Sequence, residues 1–259
     1  MLDLQRATSP PLVAPPQPEE ARDKLIVALD FPSGREALAF VDRLDGACRW
    51  FKVGLELFLA AGGSIVQTLR ARGHSVFLDL KFHDIPNTIA GAVRSVGPLG
   101  AELLTVHASG GPAMLEAAAE AAASFADPPR LLAVTVLTSM DQSQLAAIGN
   151  LRTPAEEVLL LARMAFANGI AGFVCGPEEA SALRSALHGA VLVTPGIRPD
   201  GAEIGDQKRI ATPAAALAAG ANYLVVGRPI TQAPDPAKAA RAVLAEMKLA
   251  QRKNTATVV

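Results

Sequence analysis

Cysteine is almost missing from this chain of 259 residues: Cys48 and Cys175 are the only two, far apart and without metal-ligand spacing. That excludes a disulfide framework and a thiolate metal centre as organising features, and reads as two buried thiols in a reduced, cytoplasmic protein. Excess charge of either sign is missing too. The 24 Lys and Arg balance 25 Asp and Glu, so no overall field would hold a nucleic acid polymer or an anionic membrane surface, and any anion must be bound by a local site. No apolar run approaches the roughly 18 residues that cross a bilayer, so a soluble protein is expected. Residues 1–22 carry Pro10, Pro11, Pro15, Pro16 and Pro18 and lack the continuous apolar stretch of a secretion signal. They read as a disordered or loosely docked tail ahead of one domain spanning residues 23–259, a length ordinary for a single barrel.

What is present is an alternation of short apolar or β-branched runs with Ala/Leu-rich amphipathic stretches, the pattern of repeated βα units around a parallel sheet. Eight runs can be counted: Lys24–Asp30, Arg49–Gly54, Ser75–Lys81, Leu103–His107, Leu131–Leu137, Gly172–Cys175, Val191–Thr194 and Tyr223–Gly227. Ser33 with Glu36, and Thr153 with Glu156, have capping-box spacing and mark helix starts. Thr212 before Pro213 and Asp235 before Pro236 do the same, because a proline in the first turn lacks only an N–H that would have no partner there. Gly46, Gly169, Gly189 and Gly220 stand where helices should stop. Eight units favour a closed (β/α)8 TIM barrel over an open doubly wound sheet, although closure itself cannot be read from a sequence.

In such a barrel the active site lies at the C-terminal ends of the strands, and polar residues recur there: Asp30, Lys52, Asp79, Lys81, His107, Thr138, Arg198 and, after Gly227, Arg228. The densest cluster is Asp79-Leu80-Lys81-Phe82-His83-Asp84-Ile85-Pro86-Asn87-Thr88. Strand side chains alternate with period two, so Asp79 and Lys81 emerge on one face while Leu78 and Leu80 take the other. Asp84 lies beyond the strand, free to approach this site or that of a neighbouring subunit, and Thr88 falls near the start of the next helix.

The pattern Asp79-x-Lys81-x-x-Asp84-Ile85-Pro86-Asn87-Thr88 resembles the signature of the orotidine 5'-phosphate decarboxylase family. The resemblance extends, in order, through Leu29-Asp30, Phe51-Lys52-Val53-Gly54, Val106-His107, Val136-Leu137-Thr138-Ser139, Thr194-Pro195-Gly196-Ile197-Arg198, Gly205-Asp206-Gln207-Lys208-Arg209 and Val226-Gly227-Arg228-Pro229. It covers nearly everything from Lys24 to about Leu249. The resemblance implies decarboxylation to uridine 5'-phosphate with no metal and no cofactor, Lys81 stabilising and protonating the ring carbanion. It further implies an alternating charge array of Lys52, Asp79, Lys81 and Asp84, the last from the partner in a homodimer. Asp30 and Lys52 would meet ribose hydroxyls, Thr88 would reach the ribose across the interface, and Thr138 would read the pyrimidine edge. Arg198, Gly227 and Arg228 would hold phosphate, and the polar stretch from Pro199 to Arg209 would close as a lid carrying Gln207.

Other readings stay open at this stage. A magnesium-dependent sugar-phosphate lyase of the same barrel group shares the Asp-x-Lys-x-x-Asp core, a Schiff-base aldolase would use Lys81 as nucleophile, and a phosphate-ligand sensor would need the arginines but not four charges. His107 and His83 are left outside the catalytic set, and Gly110-Gly111 reads as a tight loop before a helix.

Overall fold

The computed structural model describes residues 20–199 and 210–256. The tail up to residue 19, and residues 200–209 with Gln207, lie outside the described residues. Eight strands follow one another: β1 (Leu25–Ala28), β2 (Trp50–Gly54), β3 (Ser75–Phe82), β4 (Leu103–His107), β5 (Arg130–Val134), β6 (Gly172–Val174), β7 (Val191–Thr194) and β8 (Tyr223–Val226). Each pairs in parallel with the next, and β8 pairs back onto β1 through Leu25 opposite Leu224 and Ile26 opposite Val225, so the sheet closes. The chain is a (β/α)8 barrel, and the open-sheet alternative falls. Helices including Gly34–Arg43, Pro86–Val96, Pro112–Ala123 and Pro154–Ala167 connect the strands, and Pro236–Ala256 follows the last one.

Period-two alternation sorts the strand residues into two cores. Ile26, Ala28, Trp50, Phe77, Leu103, Leu132, Val191, Val193, Tyr223 and Val225 fill the barrel, while their neighbours, among them Val27, Phe51, Val53, Val76, Leu78 and Leu104, pack in a larger cluster with helix residues. Both layers must be apolar because a parallel sheet is covered on both faces. At one position the sheet leaves no room: a Cβ on Gly172 would lie 2.6 Å from the Leu131 carbonyl oxygen, so β6 can approach β5 only with glycine there.

The helix punctuation follows the local chemistry. Thr153 and Glu156 form a reciprocal capping box, and Ser33 accepts the Glu36 N–H. Thr212 accepts from the Ala215 N–H, and Asp235 from the Lys238 N–H. Gly46, Gly169, Gly189 and Gly220 all have positive φ. Most strand ends fall within one or two residues of expectation, and the largest difference is in the fifth. The fifth run was expected to remain strand to Leu137, but β6 is only three residues long and its last partner on β5 is Val134, so the ladder ends there. The chain then turns through Thr138 into a short helix, Gln142–Ala147, whose Asp141/Gln144 capping box is clear in the structure and was not anticipated.

Candidate active site

Up β2, β3 and β4 the inward-facing positions change from apolar to polar: Trp50 then Lys52, Phe77 then Asp79 and Lys81, Leu103 then Thr105 and His107. The apolar plug is thereby capped by ionisable groups at the C-terminal rim. Lys52 Nζ lies 3.1 Å from Asp30 Oδ1 and 3.7 Å from Asp79 Oδ2, and Lys81 Nζ donates to Asp79 Oδ2 at 2.7 Å. The order is acid, base, acid, base, ending on an ammonium. Asp79 and Lys52 keep only 10% and 13% of their side-chain surface, a burial tolerable because each charge has opposite neighbours. Asp30 is 62% exposed, so its pair with Lys52 adds little stability and leaves a carboxylate facing solvent at the rim.

Lys81 sits on irregular backbone. The β3–β4 register shifts between Leu78 and Phe82, and Lys81 has φ of 51°. The other described residue besides glycine with positive φ is Asp45, in a turn. For a lysine in a strand the left-handed region costs about 1–2 kcal/mol, offset here by a charge-assisted hydrogen bond worth roughly 1.5–3 kcal/mol. Period two alone put Asp79 and Lys81 on one face; the bulge sets how they meet.

Gly54 makes room for Lys52. An alanine Cβ at that position would stand 2.8 Å from Lys52 Nζ and 3.6 Å from Asp30 Oδ1. Neither Gly54 nor Thr105, whose hydroxyl donates to Asp79 Oδ1 at 3.0 Å, was singled out from sequence. The signal for Thr105 was available, since it lies two residues before His107 on the same strand and therefore on the same face.

The remaining expected residues fall at the same rim with less convergence. Gly227 caps the short helix Arg228–Thr231, and a Cβ there would meet Asp30 Oδ2 at 3.8 Å, which places the end of β8 beside the end of β1. Arg228 is exposed. Arg198 is 7% exposed, with its backbone N–H bonded to the Ala211 carbonyl at 2.9 Å and Nη1 donating to the Ile197 carbonyl. Thr138 is half-buried past the end of β5. Asp84 stays out of its own chain's array: its Oδ1 accepts the Ile85 N–H at 2.6 Å, and among the described residues it makes no ion pair. It lies in an exposed stretch from His83 through Thr88 in which Ile85 is 67% exposed. Ile85 precedes Pro86, and Thr88 lies in the first turn of the helix Pro86–Val96.

His107 faces His83 with ring centroids 5.3 Å apart. Burial, then the charges of His83 and Lys81, hold the His107 imidazole below its ordinary 6.5 against the opposing pull of Asp79. Burial pushes the Cys48 thiol up to about 12, and both cysteines are free and buried. Among the described residues no three His, Cys, Asp or Glu side chains cluster as a metal site, and no helix is long and apolar enough to cross a membrane.

Residues 23–243 match the family model described as orotidine 5'-phosphate decarboxylase / HUMPS family. The chain is 55% identical over 228 residues to the orotidine 5'-phosphate decarboxylase of Halorhodospira halophila, an alignment covering 88% of this chain and 97% of that protein. It is 52% identical over 227 residues to that of Nitrosococcus oceani, covering 87% and 98%. The crystal structure of orotidine 5'-phosphate decarboxylase from Lactobacillus acidophilus superposes with a TM-score of 0.77 at 39% identity, over 86% of this chain and 98% of that one. With the barrel, the charged rim and these relatives in agreement, the chain belongs to the orotidine 5'-phosphate decarboxylase family of enzymes.

Proposed function

We propose that this chain converts orotidine 5'-phosphate to uridine 5'-phosphate and carbon dioxide in pyrimidine nucleotide synthesis, with no metal or organic cofactor and with Lys81 as the group that stabilises and protonates ring carbon C6. The observation that carries this reading is the alternating run Asp30, Lys52, Asp79, Lys81, which ends on an ammonium at the mouth of the barrel. The bond from C6 to the carboxylate breaks heterolytically, the electron pair stays on C6, and carbon dioxide departs. The ammonium beside C6 offsets that pair as it forms and then transfers a proton to it, to be restored from solvent. Asp79 keeps Lys81 aimed and stands close to the substrate carboxylate. Two carboxylates about 4 Å apart repel by roughly 4 kcal/mol at an effective dielectric near 20, well short of the about 8–23 kcal/mol that enzymes remove from barriers. Fixed cations and remote binding energy must supply the larger share.

Phosphate supplies that remote handle. Arg228 and Arg198 at the ends of β8 and β7, with the Gly227 backbone, are assigned to it. Gln207, in the segment after Arg198, is assigned to bridging phosphate and base when that segment closes over the ligand, so that phosphate binding serves chemistry at a distant carbon. Asp30 and Lys52 take ribose hydroxyls and Thr138 the pyrimidine edge. Asp84 and Thr88 serve the site of a second copy, which accounts for the outward-facing Asp84 and for an exposed Ile85 beside it.

The direct test is the decrease in orotate absorbance on incubation with orotidine 5'-phosphate in chelator-treated buffer. Turnover is expected there; activity abolished by the chelator would favour the magnesium-dependent reading, and tight product binding without turnover would favour a sensor. The shared site has its own test. Lys81→Ala and Asp84→Ala subunits, each inactive alone, should recover roughly a quarter of the activity when mixed, since hybrid dimers regain one intact site. No recovery after verified subunit exchange would place Asp84 outside the partner's site.

A further inference from the structure

The bulge in β3 leaves a loose end that one buried side chain ties. Leu78 pairs with Leu104 and Phe82 with Val106, so Asp79, Leu80 and Lys81 together stand opposite the single residue Thr105. The Lys81 N–H donates to Thr105 Oγ1 at 2.8 Å, a side-chain oxygen in place of a ladder carbonyl. Thr105 has no exposed surface. A backbone N–H can only donate, so Thr105 Oγ1 accepts from it and spends its own proton on Asp79 Oδ1, 3.0 Å away. Asp79 Oδ2 in turn accepts from Lys81 Nζ at 2.7 Å. The loop of bonds closes: backbone of Lys81, hydroxyl of Thr105, carboxylate of Asp79, ammonium of Lys81.

We infer that Thr105 is a positioning residue for the decarboxylation, fixing Lys81 at its backbone and its ammonium at once through a hydroxyl that accepts at one end and donates at the other. This rests on the reading of Asp79 and Lys81 given above. Few side chains of this size can do both. Valine matches threonine in shape and does neither, serine does both, and cysteine does both only weakly. A group that merely filled space would accept valine. One that merely closed the bulge would lower stability and product binding along with turnover.

The test is Thr105→Val, Thr105→Cys and Thr105→Ser in the full chain, with kcat and KM for orotidine 5'-phosphate, the Kd for uridine 5'-phosphate and the melting temperature measured on each. Thr105→Val is expected to lose roughly 100-fold in kcat, the size of effect that follows a misplacement of about 1 Å, with KM and product Kd held within about threefold. Thr105→Cys should fall close behind, and Thr105→Ser should restore kcat to within about threefold of the parent. Wild-type kcat in the valine variant overturns the inference. So do equal losses of kcat and product affinity, and so does a serine variant as slow as the valine one. If valine prevents folding, the contrast between serine and cysteine decides on the same criteria. Lys81→Ala measured alongside separates the two levels: an active Lys81→Ala sinks the site reading itself, whereas an inactive Lys81→Ala beside a fully active Thr105→Val sinks only the role of Thr105.

Discussion

The two ends of the barrel spend charged residues in opposite ways. At the end where the strands begin, ionic groups are tied to backbone. Arg184 donates to the carbonyls of Ala190 and Gly220 and to Asn222 Oδ1, and that same Asn222 oxygen accepts the Leu192 N–H at 2.7 Å. Glu102 accepts the Val76 N–H at 2.7 Å while pairing with Arg70. Below them the Trp50 and Tyr223 rings meet edge to face at 5.3 Å. Arg184 and Glu102 thereby brace the segments that lead into β7, β8 and β3, whereas Arg49–Asp23 and Arg72–Asp42 at the same end pair charge with charge. At the end where the strands finish, Asp30, Lys52, Asp79 and Lys81 bond chiefly to one another, on a backbone pushed into the left-handed region at Lys81. The difference teaches how to tell a structural charge from a chemical one in this fold. The first satisfies main-chain groups, so its loss costs stability; the second is satisfied by other charges and, on the proposed function, is the one that meets substrate.

The sharpest way to break that contrast is a pair of truncations. On the proposed role of Lys81, Lys81→Ala should lower kcat by roughly 10,000-fold or more, since that role makes it both proton donor and the cation facing the carbanion. Its melting temperature should fall only modestly, because Lys52 at 3.7 Å and the Thr105 hydroxyl still face Asp79, and uridine 5'-phosphate should still bind. Arg184→Ala should do the reverse, with stability falling by about 2–3 kcal/mol as three hydrogen bonds from a cation are lost and kcat unchanged in the protein that remains folded. Comparable effects of both variants on stability and turnover would erase the distinction between the ends.

Gly54→Ala should show a smaller and still one-sided effect. Gly54 has φ of −92° and ψ of −176°, which alanine adopts freely, and the added Cβ crowds the Lys52 ammonium at 2.8 Å while touching Asp30 Oδ1 only at 3.6 Å. Stability should stay within about 1 kcal/mol, while displacement of the ammonium lowers kcat roughly 10-fold. Circular dichroism melts and steady-state kinetics on one preparation check both halves.

The smallest effect is in the dependence of stability on pH, and it involves both ends. His107 at the rim is lowered by burial and by the His83 and Lys81 charges, against Asp79; His74 at the opposite end is lowered by burial and by Arg72 and Arg22, against Asp42. Both folded values lie below 6.5, so as the pH falls the unfolded chain takes up these protons first. Their contribution is intact above 6.5 and declines as pH drops from 6.5 toward the folded values. Melting temperatures between pH 8 and pH 5 should fall, and His74→Asn and His107→Asn should each flatten the slope. An unchanged slope in both variants would remove the two imidazoles from the account.

Much of this was legible in the chain itself. The strand runs, the capping residues at Ser33, Thr153, Thr212 and Asp235, and the helix-ending glycines are local chemistry, decided by neighbours within four residues. The pairing of Asp79 with Lys81 followed from the period of a strand. The end of β5 was misjudged because it depends on the length of β6, a segment far along the chain. Thr105 was passed over because its partners are on another strand, and Gly54 because its meaning lies in the space beside Lys52.

What the sequence by itself determined is the set of elements and the chemistry at their ends, because caps, turns and alternation act over a few residues. What only the tertiary structure decided is that β8 meets β1, that β3 bulges opposite Thr105, and that Asp30, Lys52, Asp79 and Lys81 form one line of charge. Those facts depend on closure and register between strands distant in the chain, and no local rule sets the distance between side chains whose backbones first become neighbours when the barrel shuts.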